Sequence, residues 1–546
     1  MFERQALPHS VRTALSCGLC LALAAASNFA QLDPCAGNGG GLDARLGTPV
    51  SGTTVPLSLT GPPGASYFFA ISDAAPQTAV PPYGVTCLDF ASPSFLIAFS
   101  GNLPANGVFA LPLAIPATPT FDAFVAFGQG GAQVAAAPGG FAISPLVRFD
   151  FAPADSFEGA GAVPAAVNYG SATTLDGDVV FIAGGKDGDL LQTTIGPNTL
   201  TYLWRANVRF ATPGPIMTVP RFAHTATRLA DGRVLLVGGA GSAPGFAAQN
   251  QCDVFDPATQ ALSPVAAMTH PRAGHAAHLL ADGRVLVAGG VASLALALAA
   301  PPSMTAFGTA RDDAELYDPV SNTWTPVANV MQAPRAFGGS AMRPDGTVVL
   351  VSGICGTSLI AGPVPALYAA TGSVFTDGFD PATSLFFPLP SITGVPLAAP
   401  QLTTLLDGRL WLTGGAGVAG VLANPFASTV TRLFDGVQWT TGPSLPQGTA
   451  HHRAVLLDNG FVHLSGGSNQ FVQLSPTNNS STTCLLYDGV TLQTAAPLPV
   501  GRSGHLIAPL SNGALCIVGG RFSPSTIAPP SPGVDVLTIT HYVPAP

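Results

Sequence analysis

Charged side chains are scarce in this sequence. They make up 9% of its 546 residues, and Lys186 is the single lysine. The 19 arginines are spread along the chain, and the formal net charge of -9 is small for this length. A nucleic-acid-binding surface needs a cluster of basic side chains, and none is present. The composition therefore excludes nucleic acid as a partner, and the preference for arginine over lysine is typical of a GC-rich bacterial genome.

Helical periodicity is also missing. Apolar residues do not recur at three- and four-residue spacing over any long stretch, which argues against amphipathic helices. Short runs of valine, leucine, isoleucine and phenylalanine recur instead, bounded by turn residues that include many of the 63 glycines and 52 prolines. Such runs are typical of strands. The sequence therefore predicts an all-β protein.

The first 30 residues have the pattern of a secretory signal peptide. Arg4 and Arg12 precede an apolar stretch at 13–26 that is too short to span a bilayer and ends in small residues. Cleavage after Ala26 or after Ala30 fits this pattern. We interpret residues 1–30 as a signal peptide, which predicts a secreted, cell-surface or periplasmic protein with no transmembrane segment after cleavage.

Removal of that segment leaves six cysteines, an even number in a chain bound for an oxidising compartment. Cys35 and Cys87 both lie in the N-terminal region and form the candidate disulfide. The other four allow several pairings, between which the sequence does not choose: Cys252, Cys355, Cys484 and Cys516.

An internal repeat dominates the rest of the chain. Its core is an Asp-Gly or Asn-Gly turn, an apolar strand and a glycine pair, as in Asp231-Gly232-RVLLV-Gly238-Gly239. Seven copies follow one another at a spacing of roughly 50 residues. In the fourth copy, Ser352 replaces the first glycine of the pair. The glycines assigned to this structural repeat are Gly184, Gly185, Gly238, Gly239, Gly289, Gly290, Gly353, Gly414, Gly415, Gly466, Gly467, Gly519 and Gly520.

Two further elements accompany the glycine pairs. An aromatic-Asp-Pro or aromatic-Asp-Gly turn follows them, for example at 317–319, and large apolar residues including Trp324 and Trp439 come at fixed offsets after it. These features resemble the kelch family, over about residues 146–546. The resemblance implies a secreted bacterial relative of the galactose oxidase and kelch proteins, with a seven-bladed β-propeller of four-stranded blades.

The ends of the repeat region raise the question of how the ring closes. Only 26 residues follow Gly520, so the last blade is incomplete, and we expect the segment 146–158 to supply its missing outer strand. Residues 31–145 lack the repeat but contain short strand-like runs between turns. They predict a small β-sandwich domain that precedes the propeller.

Candidate catalytic residues are few. An Arg-x-x-His element recurs before the strands, and its members are expected to be structural: Arg221, Arg272, Arg335 and Arg502, with His224, His275, His452 and His505. The Tyr-His ligand dipeptide of the copper radical oxidases is absent, with His541-Tyr542 in reversed order. Carboxylates at 187–189 and 311–313 are weak calcium candidates, because a calcium site needs several oxygen ligands.

We therefore assign no catalytic, cofactor-binding or metal-binding residue from the sequence. The leading hypothesis is a secreted, non-catalytic propeller, monomeric, that binds a protein or glycan partner through the loops on one face. The alternative is an extracellular copper radical oxidase or another carbohydrate-active enzyme built on the same propeller. We expect no cofactor, and calcium and copper are the two candidates that remain.

Overall fold

The computed structural model describes most of the repeat region and parts of the N-terminal region. The described residues are 42–46, 54–72, 78–80, 84–86, 96–114, 125–137, 140–144, 147–150, 155–188, 196–206, 209–241, 246–292, 310–360, 367–418, 420–422, 427–469, 480–522, 534–535 and 538–544. None of them lies in an α-helix, and accordingly no described helix has the length and apolar character needed to cross a membrane. The predicted signal peptide, Cys35 and Cys87 lie outside these ranges.

The chain divides into two units, of which the first comprises Met1–Ser156 and Val543–Pro546. Its strands are β1 (Asp43–Leu46), β2 (Thr54–Thr60), β3 (Ser66–Ser72), β4 (Thr78–Val80), β5 (Gly84–Thr86), β6 (Leu96–Asn102), β7 (Val108–Ala114), β8 (Val125–Gln133), β9 (Phe141–Ile143) and β10 (Val147–Asp150). One sheet has the order β1-β2-β7 and another β10-β8-β3-β6, with β9 on β8. Leu57 and Leu59 of the first sheet share a buried core with Tyr67 and Phe69 of the second. The two sheets therefore form a small β-sandwich.

The second unit, Phe157–Tyr542, contains seven four-stranded sheets among the described residues, numbered here as blades 1 to 7. Blade 7 includes the earliest strand, β11 (Ser156–Ala162). Blades 1 to 3 consist of β12–β15 (Ser171–Thr174, Val179–Ala183, Thr201–Arg205, Phe210–Pro213), β16–β19 (Thr225–Arg228, Val234–Val237, Cys252–Asp256, Ala261–Val265) and β20–β23 (Ala276–Leu279, Val285–Ala288, Ala314–Asp318, Thr323–Pro326).

Additional short strands accompany blades 4 and 5, most of them between the second and third strands and one directly before the first strand of blade 5. Blade 4 consists of β24 (Gly339–Met342), β25 (Val348–Val351), β28 (Thr376–Asp380) and β29 (Leu385–Leu389), and blade 5 of β31 (Gln401–Thr404), β32 (Leu410–Thr413), β35 (Thr431–Phe434) and β36 (Trp439–Thr441). The additional strands are β26 (Ile354–Ile360), β27 (Leu367–Gly372) and β34 (Gly420–Leu422), which form one sheet, and the pair β30 (Leu397–Ala398) and β33 (Ala416–Gly417).

Both ends of the chain contribute to the last blade. Blade 6 consists of β37–β40 (Arg453–Leu456, Val462–Ser465, Cys484–Tyr487, Leu492–Ala495). Blade 7 combines β41 (Leu506–Pro509), β42 (Leu515–Val518), β45 (Thr538–Val543) and β11, with the pair β43 (Arg521–Phe522) and β44 (Val534–Asp535) beside it. The N-terminal closing strand was expected within 146–158, but only its last residues belong to β11, and Val147–Asp150 pairs within the sandwich.

The first strands of the blades contact one another in order, and β41 of blade 7 contacts β12 of blade 1. The blades therefore form a closed ring around an axial channel. Second strands such as Val234–Val237 are buried along their whole length, because each sheet is covered on both faces by its neighbours. The predicted all-β propeller architecture is confirmed.

The meander order defines two faces of the ring. The turns between first and second strands and between third and fourth strands lie at one end, which we call the turn face. The glycine pairs, the connections from second to third strands and the links between blades lie at the opposite end, which we call the loop face.

Candidate functional site

The glycine pairs lie where neighbouring blades approach closely at the loop face. An ideal Cβ on Gly238 of blade 2 would lie 2.5 Å from the carbonyl oxygen of Arg272, at the start of blade 3. The amide of Gly239 donates a 2.8 Å hydrogen bond to that same oxygen. All thirteen glycines assigned to the repeat have a φ in the left-handed region, which favours glycine.

The two tryptophans assigned to the repeat lie on the outer strands. Trp324 Nε1 donates to the carbonyl oxygen of Ala266 in the preceding blade at 2.7 Å. Trp439 Nε1 donates in the same way to the carbonyl oxygen of Pro390 at 2.9 Å. Each tryptophan therefore joins its blade to the blade before it.

The repeat arginines are buried and have structural partners. Arg221 Nη2 lies 2.6 Å from Asp253 Oδ2, and both side chains are fully buried. Its Nη1 donates to the carbonyl oxygens of Gly238 and Gln251. Burial lowers the pKa of Arg221, and Asp253 partly offsets this effect. In blades 3, 4 and 7 the corresponding pairs are Arg272–Glu315, Arg335–Asp377 and Arg502–Thr540.

Sequence reasoning missed the acidic partners, although the sequence contains their signal. Asp253, Glu315 and Asp377 each lie two residues before the aromatic residue of an aromatic-Asp-Pro turn. In blades 5 and 6, Arg432 and Leu485 occupy that position, and the repeat arginine is replaced by Leu397 and Thr449. The acid and the arginine therefore occur together in blades 2, 3 and 4.

The repeat histidines lie at the seams between blades. His224 Nε2 and Ser171 Oγ of the preceding blade are 2.9 Å apart, and His275 Nε2 and Thr225 Oγ1 are also 2.9 Å apart. Two later seams contain the pairs His452–Thr413 and His505–Ser465 at 2.9 and 3.0 Å. Burial lowers the pKa of His275 and His452 to about 3. These imidazoles are therefore neutral at physiological pH.

A ring of seven residues surrounds the axis at the loop face, each two residues before a first strand. Its members are Tyr169, Ala223, Gly274, Phe337, Ala399, His451 and Gly504, and all have φ values between 50 and 63°. The amide of Ala223 donates to the Tyr169 carbonyl oxygen at 2.7 Å, and that of Gly274 donates to Ala223 at 2.8 Å. Equivalent bonds join Phe337 to Gly274, Ala399 to Phe337, Gly504 to His451 and Tyr169 to Gly504. We call these seven residues the axial ring.

Aromatic side chains of the axial ring cover its glycines. An ideal Cβ on Gly274 would lie 2.6 Å from the Phe337 ring, and one on Gly504 would lie 2.8 Å from the Tyr169 ring. Tyr169 and His451 meet edge to face, with ring centroids 5.4 Å apart. The axis at the loop face is therefore lined by apolar and aromatic groups.

The single lysine lies beside the axial ring. Lys186 is fully buried, and its Nζ lies 5.1 Å from the centroid of the Phe222 ring and 4.6 Å from that of Phe246. A cation over aromatic faces is attracted by their quadrupoles. The sequence had suggested no role for this residue.

The carboxylates considered as calcium ligands are in part engaged with arginines. Asp313 Oδ1 lies 2.7 Å from Arg311 Nε and 3.1 Å from Arg272 Nη1. Although burial would raise the pKa of Asp313, these two guanidinium groups lower it overall. Asp189 lies outside the described ranges, within which no group of three or more histidine, cysteine, aspartate or glutamate side chains is placed to hold a metal ion.

The described cysteines lie within or beside blades. Cys252 begins the third strand of blade 2, Cys484 begins that of blade 6, and Cys516 lies in the second strand of blade 7. Cys252, Cys355 and Cys516 carry free thiols. Burial raises the pKa of the Cys252 thiol to about 12, so this sulfur stays protonated at neutral pH.

Comparison with known proteins supports the repeat and the fold. A family model described as the kelch motif matches residues 271–331, whereas no curated protein sequence matches the chain. A fungal alcohol oxidase of the AA5 family, solved in complex with copper, is similar in structure with a TM-score of 0.51. The two chains are 17% identical over 71% of this chain and 76% of the oxidase.

A second solved structure, YjhT, aligns with 69% of this chain and 95% of its own at 14% identity and a TM-score of 0.38. The glycine-pair repeat, the ring of four-stranded sheets and the matched motif agree with one another. This chain is therefore a β-propeller protein that contains a kelch motif at residues 271–331.

Proposed function

We propose that this protein is a secreted, non-catalytic binding module that holds a protein or glycan partner at the loop face of its propeller. The proposal rests on the contacts that the arginines and histidines of the repeat make. The repeat arginines bond to acids, carbonyls or hydroxyls, and the repeat histidines bond to hydroxyls across blade seams. Acid–base or nucleophilic catalysis needs such groups to face a substrate and to titrate near the working pH.

The sequence between the second and third strands contains stretches with almost no charge. The stretches 189–195, 242–245, 293–309, 361–366, 423–426, 470–479 and 523–533 contain Asp189 as their only charged residue. The cores of protein interfaces are depleted in charged residues. Together with the apolar axial ring, this composition favours binding through apolar contacts and hydrogen bonds.

The metal content of the purified protein tests the non-catalytic assignment. After exposure to copper and calcium followed by desalting, we expect elemental mass spectrometry to find neither metal in stoichiometric amount. The repeat histidines form hydrogen bonds with hydroxyl groups at the blade seams, and they are therefore poorly placed to bind copper. One copper per chain, with oxidation of an alcohol by the loaded protein, would overturn the proposal in favour of an oxidase.

A charge placed on the axial ring tests the position of the partner site. Ala399 is a partly exposed member of this ring, and Ala399→Arg is expected to weaken binding about tenfold or more, because a desolvated charge is costly at an apolar contact. Ligands are first identified on a glycan array and a peptide array, and affinities are then compared by calorimetry.

The matched control is Val320→Arg on the turn face, where the valine is 94% exposed. The control variant is expected to bind like the wild type. Weakened binding by Val320→Arg alone would place the partner on the turn face instead.

A further inference from the structure

We propose that the axial channel contains a binding site for a small monocarboxylate, with Arg453 as the residue that binds it. This site adjoins the axial ring and lies further along the first strand of blade 6 than the ring residues proposed to contact the partner. It concerns a guanidinium group that the repeat does not explain, since Arg453 is not a member of the Arg-x-x-His element.

Arg453 lies at the inner edge of the propeller. It is the first residue of β37, the first strand of blade 6, and follows His451 of the axial ring by two residues. Val455, two residues further, points to the same side of the strand and packs in the core between blades 6 and 7. The Arg453 guanidinium likewise reaches toward blade 7, where its Nε donates to the carbonyl oxygen of His505 at 2.9 Å.

The remaining donors of Arg453 lack an acidic partner. The first strands of the seven blades carry two arginines and no acidic residue. The other arginine, Arg228, has its Nη2 2.7 Å from Asp176 Oδ2. No carboxylate of the described residues forms an ion pair with Arg453, which is half-buried on the first strand of blade 6.

The surroundings of Arg453 leave its charge uncompensated. Burial lowers the pKa of Arg453, and the Tyr169 phenol partly offsets this effect. The neighbouring His452 and His505 are buried and have lowered pKa values, mainly from burial and in part from Arg453 itself. The site therefore carries one positive charge in a half-buried position, where a bound anion would compensate for it.

The chemistry of the site favours a monocarboxylate. Nη1 and Nη2 of a guanidinium form a planar fork that matches the two oxygens of a carboxylate. A single positive charge beside neutral imidazoles balances a monoanion, whereas sulfate or phosphate would bring a surplus negative charge into the channel. The channel wall consists of inner strand edges, so the ligand has to be small.

Thermal unfolding in sodium acetate tests the site, with chloride used to keep the ionic strength constant. A ligand that binds only the folded state raises the ratio of folded to unfolded protein about elevenfold at ten times its Kd. We expect a saturable rise of Tm with acetate for the wild type and its loss in Arg453→Gln. The matched control Arg228→Gln removes the other first-strand arginine and should keep the response.

Broadening of the carbon-13 signal of labelled acetate by the wild-type protein provides a second readout, which does not depend on the variants folding. Absence of both effects in the wild type, or an equal response in Arg453→Gln, would overturn the proposal. Stabilisation by sulfate at lower concentrations than acetate would overturn the assignment to a monocarboxylate. The acetate measurements use no partner, so a failure of the proposed partner binding would leave these results unchanged.

Discussion

Lowering the pH from 7 to 4.5 is expected to unfold the propeller, because its buried histidines must remain neutral in the folded ring. His224, His275, His452, His463 and His505 are all buried. Burial lowers the pKa of His275, His452 and His463 to about 3, and it lowers those of His224 and His505 well below the usual value. In the unfolded chain each of these imidazoles has a pKa of about 6.5.

The sign of the effect follows from linkage. Because folding depresses these pKa values, the unfolded chain binds more protons, and stability is lost as the pH falls below about 6.5 toward the folded-state values. At pH 4.5, a histidine whose pKa shifts from about 6.5 to about 3 lowers the free energy of unfolding by an amount on the order of 3 kcal/mol. The three histidines with pKa values of about 3 together cost on the order of 8 kcal/mol, comparable to the whole stability of a typical domain.

Acid titration followed by circular dichroism and intrinsic fluorescence checks this expectation. His463 offers the sharpest variant, since neither of its ring nitrogens has a hydrogen-bond partner and its ring packs 4.3 Å from that of Tyr542. His463→Leu should shift the acid midpoint to lower pH. His270→Leu, at a site that is 45% exposed, is the control and should shift it little. A midpoint that stays the same in His463→Leu would contradict this account.

The local features of the blades could be predicted from the sequence because they repeat. The Asp-Gly turns and the glycine pairs recur from one copy of the repeat to the next, and each recurrence indicates the same backbone conformation. A chance match in any single copy therefore has little effect on the prediction. The Ser352 substitution illustrates the limit of this reasoning. Ser352 has a φ of 61°, so its position needs the left-handed conformation but tolerates a small side chain.

The features that occur once per ring could not be predicted in the same way. The strand Ser156–Ala162 completes blade 7 although it is distant in sequence from its partner β45. The axial ring forms through hydrogen bonds between equivalent residues of different repeats, and nothing in a single copy of the repeat indicates it. Arg453 is likewise ordinary in sequence, and it becomes a candidate site because it lies on an inner strand without an acidic partner among the described residues.

Breaking the Arg221–Asp253 pair is expected to destabilise the protein by about 3 to 5 kcal/mol. In Asp253→Asn, the Arg221 guanidinium keeps its hydrogen bonds to the carbonyl oxygens of Gly238 and Gln251. However, its charge remains buried without a carboxylate, and this uncompensated charge is the main cost. Thr218 Oγ1, which donates to both oxygens of Asp253 at 2.8 and 2.9 Å, also loses an ionised acceptor.

Urea unfolding measures the effect, and Asp231→Asn serves as the control within the same blade. Asp231 also pairs with an arginine, with 2.6 Å between its Oδ2 and Arg233 Nη2, but both side chains are substantially exposed. Exposed pairs contribute about 0 to 1 kcal/mol, so Asp231→Asn should change the free energy of unfolding little. Equal losses of the free energy of unfolding in the two variants would show that burial does not explain how the Arg221–Asp253 pair stabilises the protein.

The double variant Arg221→Thr, Asp253→Leu separates the cost of an unpaired charge from any need for the pair itself. Blade 6 has this combination naturally, with Thr449 and Leu485 at the equivalent positions. Thr449 Oγ1 donates there to the carbonyl oxygen of Gly466 at 3.0 Å, which replaces one arginine hydrogen bond. Because replacing both partners of a buried ion pair removes the uncompensated charge, the double variant should be more stable than Asp253→Asn alone. A double variant less stable than Asp253→Asn would instead mean that the volume of the arginine side chain, and not its charge balance, stabilises the blade.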